Sequence, residues 1–369
     1  MINRNRVVAE FMKYVQIDSE TKSEGDFAKF IKNELEALGA EVTVDGAGEI
    51  VGSNTGNVIA KFKGTREGEP ILFSCHMDTV TPGKGIKPII KDDVIYSDGT
   101  TILGGDDKAG IAAIIEAFKV IKENNIDHGP VEIAFTIFEE GGLFGSKNLD
   151  YSKINAKHAF VLDSGGEPGQ IVIKGPAQDK ITVKITGRPA HAGVCPEQGI
   201  SAIQVASEAI ANMKLLRIDE DTTANIGTIS GGVVTNIVCP EVNILAEARS
   251  TNIEKLDNQT AHMVKCFEDA AEKFKAVAEV KVERMYGAFV VDENEHVVEK
   301  AKKALENLGI ESFTAATGGG SDTNVLNTNG IKAVNLGIGE RKAHTLEEHL
   351  RIEDLVNVSK VVLELIKIS

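Results

Sequence analysis

The chain has 369 residues, 42% of them hydrophobic and 26% charged, which is the composition of a folded globular protein. No apolar run approaches the roughly 20 residues that a membrane-spanning helix needs, so we expect no membrane partner. The formal net charge is −15 and the sequence shows no basic patch, which argues against nucleic acid as a partner.

The first half of the chain alternates helices and strands. Amphipathic helices are predicted over residues 3–15 and 25–39, and the runs "NVIAKFKG" and "PILFSCHMD" then read as strands. The first helix has neither the apolar stretch nor the cleavage site of a signal peptide, so we expect a cytoplasmic protein. A hairpin at 83–99, a long helix and the strands "VEIAFTIFEE" and "HAFVLDSGG" follow. This alternation predicts an α/β fold with a mostly parallel sheet flanked by helices.

The pattern changes near residue 175. From there to residue 287 the periodicity predicts strand, helix, two strands, helix and strand, which is the ferredoxin-like α+β order. A helix at 296–309, the strand "IKAVNLGIG" and a helix from residue 352 then return to α/β character. We therefore predict one domain at 1–174 and 288–369, interrupted by an inserted domain at 175–287.

Several predicted strands end on polar side chains. His76 and Asp78 follow one apolar run, Glu139 and Glu140 follow a second, and Asp163 follows a third. Because the carboxyl ends of parallel strands face one crevice, we expect these side chains to lie close together. Burying an unpaired carboxylate costs several kcal/mol, so such a cluster requires a cation or hydrogen-bond donors.

Two further residues extend this candidate metal site: Asp106 in the first turn of the long helix, and His344 in a loop after a strand. Two histidines and three carboxylates suit a two-metal site with one bridging carboxylate, whereas one histidine and one or two carboxylates suffice for a single zinc ion. Zinc suits these ligands, and cobalt or manganese would also fit. The alternative is a set of helix caps and surface acids, which the acidic composition makes plausible for any single residue.

Eight motifs follow one another along the chain: "HMDTV", "GGDDKAG", "FEEGG", "LDSGG", "GRPAHAG", "TNIVCPE", "GGGSDTN" and "AHTLEEH". In kind and order they resemble the motifs of the M20 family of metallopeptidases, and nearly the whole chain is similar to peptidase T-like members. The resemblance implies a zinc exopeptidase-like catalytic domain at 1–174 and 288–369. It also implies a lid and dimerisation domain at 175–287, a cytoplasmic homodimer and a short peptide substrate.

The resemblance implies a role for each candidate ligand. His76 and Asp163 would bind one zinc ion, Glu140 and His344 would bind the other, and Asp106 would bridge the two. A cis peptide bond is also implied between Asp106 and Asp107.

Further roles follow from the same resemblance. Glu139 would be the general base that takes a proton from a metal-bound water and passes it to the leaving amine. Asp78 would orient the imidazole of His76. His191, from the inserted domain, would stabilise the oxyanion in the active site of the opposing subunit, and Asn236 would help to hold the substrate. The alternatives are an exposed charge at Glu139 and a locally hydrogen-bonded turn histidine at His191.

The glycine-rich segment "TGGGSD" lacks the spacing of a phosphate-binding loop, so we expect Gly319 and Gly320 to let the backbone approach the substrate. It also lacks an arginine that the resemblance leads us to expect, so strict tripeptide specificity does not follow. The expected function is a dizinc exopeptidase, an aminopeptidase of the tripeptidase-like kind. The alternatives are an M20-type amidohydrolase, acting as an N-acyl amino acid deacylase or a carboxypeptidase, and a non-catalytic metal- or peptide-binding protein.

Overall fold

The computed structural model of the protein describes all residues from Met1 to Ser369. The chain forms two compact units. Unit 1 comprises Met1–Lys174, Val290–Thr317 and Ser321–Ser369, and unit 2 comprises Gly175–Phe289 and Gly318–Gly320. None of the helices combines the length and the apolar content needed to cross a membrane.

The helices and strands alternate along the chain. The α-helices are α1 (Arg4–Val15), α2 (Gly25–Leu38), α3 (Ala47–Val51), α4 (Gly105–Asn124), α5 (Phe144–Lys147), α6 (Ala202–Ala211), α7 (Ile253–Phe274), α8 (His296–Asn307), α9 (Asp322–Thr328) and α10 (Ile352–Ile368). The strands are β1 (Glu41–Val44), β2 (Val58–Phe62), β3 (Ile71–His76), β4 (Ile89–Lys91), β5 (Val94–Tyr96), β6 (Val131–Thr136), β7 (His158–Ser164), β8 (Gln170–Gly175), β9 (Ala177–Thr186), β10 (Leu216–Arg217), β11 (Thr222–Gly231), β12 (Glu241–Ser250), β13 (Val277–Tyr286), β14 (Phe289–Val290), β15 (Phe313–Ala316), β16 (Lys332–Gly337), β17 (Glu340–Arg341) and β18 (His349–Arg351).

Unit 1 is built on a sheet with the strand order β1-β2-β6-β3-β7-β16-β8-β14, with β15 beside β8. The central neighbours β6, β3, β7 and β16 run parallel, and β1 and β2 are antiparallel to their neighbours. Strand β8 is antiparallel to β16 and parallel to β15. The prediction of an α/β fold with a mostly parallel sheet is confirmed for the centre of this sheet. The antiparallel strands toward its edges were not predicted.

The centre of the sheet is covered on both faces. Every residue of β3 and β6 is buried, as expected for parallel strands that pack against helices on both sides. Helix α4 packs on β3 and β7 and buries Ile111, Ile114 and Ile115 completely. Each such side chain contributes about 1.5–3 kcal/mol relative to an exposed one. The strand ends therefore project from a tightly packed framework.

The parallel pairing places the predicted site residues at one edge of the sheet. His76 is the last residue of β3 and pairs with Thr136, the last residue of β6. The segment after β6 carries Glu139 and Glu140, and Asp163 lies near the end of β7. Helix α4 begins at this edge, because Oδ1 of Asp106 in its first turn lies 2.8 Å from Nε2 of His76.

Unit 2 contains an antiparallel sheet with the strand order β10-β11-β12-β9-β13. Helix α6 follows β9 in the chain, and α7 joins β12 to β13, so the unit has the predicted ferredoxin-like order. Strand β9 alternates buried and exposed residues, and its buried Ile181, Val183 and Ile185 join side chains of α6 and α7 in one core. The prediction of an α+β ferredoxin-like domain is confirmed.

Candidate metal centre

His76 is buried, and its two ring nitrogens face different partners. Nδ1 lies 2.8 Å from the backbone oxygen of Asp78, a partner that can only accept, so this nitrogen carries a hydrogen. Nε2 lies 2.8 Å from Oδ1 of Asp106 and 3.8 Å from Oδ1 of Asp163. A neutral His76 would therefore point the lone pair of Nε2 at two carboxylates, an arrangement that requires a proton or a cation between them.

His344 makes a second such arrangement. Its Nε2 lies 2.8 Å from Oε1 of Glu140 and 3.2 Å from Oδ2 of Asp106. The two oxygens of Asp106 thus face two different imidazoles, His76 on one side and His344 on the other. The peptide bond between Asp106 and Asp107 is cis, as the resemblance implied.

The structure brings all five predicted ligands into this cluster. Ligand atoms of His76, Asp106 and Glu140 all lie within 4.8 Å of one another, and so do those of His76, Asp107 and Asp163. Imidazole nitrogens and carboxylate oxygens are ligands that zinc, cobalt and manganese accept. The donor set therefore fits a metal ion. Asp107, which the sequence reasoning did not select as a ligand, also faces the cluster.

The pKa shifts within the cluster also indicate a site for positive charge. Burial, together with the charges of Glu139 and Asp106, raises the pKa of the Asp163 carboxyl well above its usual range. Hydrogen bonds to Asp106 and Glu140 raise the pKa of His344 to about 10. Burial opposes ionisation of Asp106, but its bonds to His344 and His76 outweigh that effect and lower its pKa. The cluster therefore stabilises positive charge, which protons or metal ions can supply.

Comparison with known sequences agrees with this geometry. Residues 72–368 match the family described as "Peptidase family M20/M25/M40". The chain belongs to peptidase family M20. It is 48% identical to the "Uncharacterized protein YqjE" of Bacillus subtilis (strain 168), over 100% of this chain and 99% of that protein. It is 26% identical to a "Peptidase T" of Geobacillus sp. (strain WCH70), over 99% of this chain and 98% of that one.

Two solved structures are similar along their full length. The aminopeptidase PepT from Bacillus cereus has 48% sequence identity and a TM-score of 0.91, with 99% of this chain and 98% of that chain covered. A tripeptidase from Staphylococcus aureus has 44% identity and a TM-score of 0.96, with 100% and 99% covered. The protein is therefore a metallopeptidase, and the prediction of an M20-type hydrolase is confirmed.

In this M20 metallopeptidase the carboxylate of Asp78 has more partners than the sequence suggested. Its Oδ1 accepts the backbone N–H of Glu139 at 2.9 Å, and its Oδ2 accepts the N–H of Glu140 at 3.3 Å and the hydroxyl of Thr21 at 2.8 Å. The same carboxylate lies 3.5 Å from Nδ1 of His76, farther than the backbone oxygen of Asp78 itself. Asp78 therefore holds the Glu139–Glu140 turn as well as the imidazole.

Sequence reasoning missed two other residues that hold the site. Asn335 accepts the backbone N–H of Asp163 and donates its amide to the backbone oxygen of Asp163, both at 2.9 Å. Glu24 is buried and accepts the N–H of Phe138, the residue before Glu139, at 3.0 Å. A polar Asn335 inside the apolar run "AVNLG" was a usable signal. Glu24 lies in a polar stretch that offers no comparable signal.

The predicted residues of unit 2 lie in two places. His191 forms an isolated β-bridge with Ile237, and the N–H of Ala192 donates to the backbone oxygen of Asn236 at 2.9 Å, so His191 and Asn236 are neighbours. Gly320 packs against Tyr286, whose ring would lie 2.2 Å from an added Cβ, and Gly319 precedes it in the loop. The roles of these four residues toward a substrate stay predictions.

Proposed function

We propose that the protein is a dizinc exopeptidase that removes residues from the free N-terminus of short peptides in the cytoplasm. The observation that carries this proposal is Asp106, whose two oxygens face His76 on one side and His344 on the other. One carboxylate between two imidazoles is the arrangement that a bridged two-metal site needs. The two similar structures are those of an aminopeptidase and a tripeptidase, which supports a peptide substrate.

The ligand roles are those that the family resemblance implies, and the contacts of Asp106 support them. His76 and Asp163 would hold one metal ion, Glu140 and His344 would hold the other, and Asp106 would bridge them. Zinc is our first choice, and cobalt or manganese would suit the same donors. When bound, such ions supply a Lewis acid and lower the pKa of water.

Glu139 is the proposed general base. Its N–H is held by Asp78, and its neighbour Glu140 faces His344, so the turn presents one carboxylate to the metal site and leaves the other free. The Glu139 carboxylate would take a proton from the attacking water and pass it to the amine of the departing residue. Burial raises the pKa of this carboxyl well above its usual range in the metal-free protein, and a cation nearby would favour the ionised form that a base requires.

His191 is the proposed oxyanion donor. The N–H of Gly193 donates to Nδ1 of His191 at 3.2 Å, so a neutral ring carries its proton on Nε2 and can donate it. We propose, from the family resemblance, that this happens in the active site of a second subunit, with Asn236, Gly319 and Gly320 contacting the substrate. Unit 2 would then act as lid and dimerisation domain.

The edge of strand β11 supports a second copy as the partner. Strand β10 pairs with Thr223 and Ala224 of β11, and the N–H of Ile218 donates to the backbone oxygen of Thr222, so the edge of β11 beyond Ala224 has no strand partner. Exposed Ile229, Val233 and Val234 lie on the same strand or just after it. Unpaired strand edges with apolar side chains favour pairing with another chain.

The decisive experiment compares matched free and N-acetylated di- and tripeptides, using zinc-loaded protein and a metal-stripped control. Cleavage of the free peptides alone, lost on stripping, would support the aminopeptidase. Preference for acetylated substrates would favour the deacylase or carboxypeptidase alternative.

Glu139→Gln should lower kcat by about 100-fold or more while the zinc content stays at the wild-type value. Glu49→Gln, at an exposed glutamate, is the control. A Glu139→Gln variant with wild-type turnover would remove Glu139 as the base.

The homodimer is tested by dilution. If His191 completes the site of the partner, specific activity should fall as the protein is diluted through its dimer dissociation constant. Sedimentation at the same concentrations shows whether subunits separate. Full specific activity in a demonstrated monomer would contradict the trans role.

A further inference from the structure

Glu348 is a buried carboxylate that binds four consecutive backbone N–H groups. It is 1% exposed. One of its oxygens accepts the N–H of Leu103 at 2.8 Å and that of Gly104 at 3.0 Å. The other accepts the N–H of Gly105 at 2.6 Å and that of Asp106 at 3.3 Å. A single side chain therefore satisfies the backbone donors of the turn that leads into Asp106.

The same residue is part of the segment that carries His344. Only three residues separate Glu348 from His344, and the N–H of Glu348 donates to the backbone oxygen of Thr345 at 3.1 Å. The chain then enters β18, which pairs with β5 and β17. Glu348 thus ties the short turn that follows His344 to the turn that precedes Asp106.

The fit around this carboxylate leaves little room for movement. An added Cβ on Gly105 would lie 3.1 Å from Oε1 of Glu348 and 3.4 Å from Cγ of Glu340. A group that accepts hydrogen bonds on both oxygens is also required, because all four facing groups are donors. A glutamine would turn its NH₂ toward two of them.

We propose that Glu348 is a positioning residue that holds Asp106 so that one carboxylate oxygen faces His76 and the other faces His344. This proposal rests on the two-metal function above. Asp78 performs a similar task for another turn, since its carboxylate accepts the N–H groups of Glu139 and Glu140. Two buried carboxylates that are not themselves proposed ligands therefore hold the backbone turns that carry the ligands.

The test is a titration of the metal-free enzyme with cobalt(II). Binding is measured by calorimetry and by the visible spectrum of the bound ion. The wild type should bind two equivalents. Glu348→Gln should bind the second equivalent about 10–100-fold more weakly, with a changed spectrum, as expected when a partner of the ligands is lost. Glu347→Gln is the matched control, because Glu347 is the exposed neighbour and pairs only with Lys342 at the surface.

A second variant guards against misfolding of Glu348→Gln. Gly105→Ala keeps the carboxylate but pushes it away from the turn, and it should weaken the second equivalent in the same way. Wild-type affinity and spectrum in both variants would overturn the proposal while leaving the two-metal function intact. A wild type that binds fewer than two equivalents would refute the two-metal function, and the positioning role would fall with it.

Discussion

The substitution Asp78→Asn tests how the site is held. It preserves the size of the side chain but replaces one acceptor oxygen with an NH₂ group. If the NH₂ takes the place of Oδ2, it faces the N–H of Glu140 and the hydroxyl of Thr21. If it takes the place of Oδ1, it faces the N–H of Glu139. In either orientation one backbone N–H of the Glu139–Glu140 turn loses its acceptor.

The expected loss of stability follows from the hydrogen bonds involved. Hydrogen bonds to a charged group contribute about 1.5–3 kcal/mol each, and a buried donor left without a partner costs about 1–3 kcal/mol. One broken bond and two weakened ones predict a decrease of about 3 kcal/mol in the free energy of unfolding. The displaced turn also carries Glu140, so metal affinity should fall about 10–100-fold.

The assay measures both quantities on one preparation. Urea denaturation of the metal-free protein gives the change in stability, and a zinc titration of the same sample gives the affinity. Asp179→Asn is the matched control. Asp179 is a buried carboxylate of unit 2 that accepts hydrogen bonds from Thr260 at 2.7 Å and Arg284 at 2.5 Å, so its loss should lower stability and leave zinc affinity unchanged.

The comparison of the two variants decides the interpretation. Positioning by Asp78 requires that Asp78→Asn loses affinity beyond anything seen for Asp179→Asn. If both variants lose stability and both bind zinc as the wild type does, Asp78 serves folding alone. If Asp78→Asn loses neither stability nor affinity, the hydrogen bonds assigned to its carboxylate carry no net energy.

Two further predictions concern packing and pH. An added Cβ on Gly110 would lie 2.7 Å from Oδ1 of Asp107, so Gly110→Ala should lower the free energy of unfolding by about 1–3 kcal/mol in urea denaturation. Gly68→Ala, whose Cβ has its nearest neighbour at 3.7 Å, should change it by less than about 0.5 kcal/mol. Burial and the nearby His296 lower the pKa of His158, so the unfolded chain takes up a proton at this residue before the folded one does. Stability from this group is therefore lost as pH falls below about 6.5, and His158→Gln should gain stability relative to the wild type between pH 8 and pH 5.5. A pH-independent difference would contradict this assignment.

Much of the fold was predictable because periodicity and apolar runs carry it. The helices expected at 3–15 and 296–309 occur as Arg4–Val15 and His296–Asn307. The antiparallel strands toward the sheet edges were not predictable in the same way. Strand β8 has only six residues and lies just before the change of pattern at residue 175. The composition of a short segment can indicate that it is a strand, but it does not indicate the direction of that strand in the sheet. The direction depends on partner strands far along the chain.

The ligands were predictable for a related reason. His76, Glu140 and Asp163 come at or just after the carboxyl ends of apolar strands, and parallel strands bring such ends together at one edge. The contacts that hold these ligands could not be read off the chain. Asp78 and Glu139 are 61 positions apart, and Glu348 and Leu103 are 245 apart. Nothing local at either end of such a pair indicates the other.

Glu347 and Glu348 show where sequence reasoning stops. They are adjacent and chemically identical, yet one forms an exposed ion pair with Lys342 and the other is buried against four backbone donors. Metal ligands are recognisable by their side-chain types, because few other roles gather histidines and acids at strand ends. The partners of a positioning carboxylate are backbone N–H groups, which every residue but proline possesses. The amino-acid types of the partner residues therefore do not indicate the interaction. In a chain with a net charge of −15, such carboxylates can be recognised only by the donors that surround them in the folded structure.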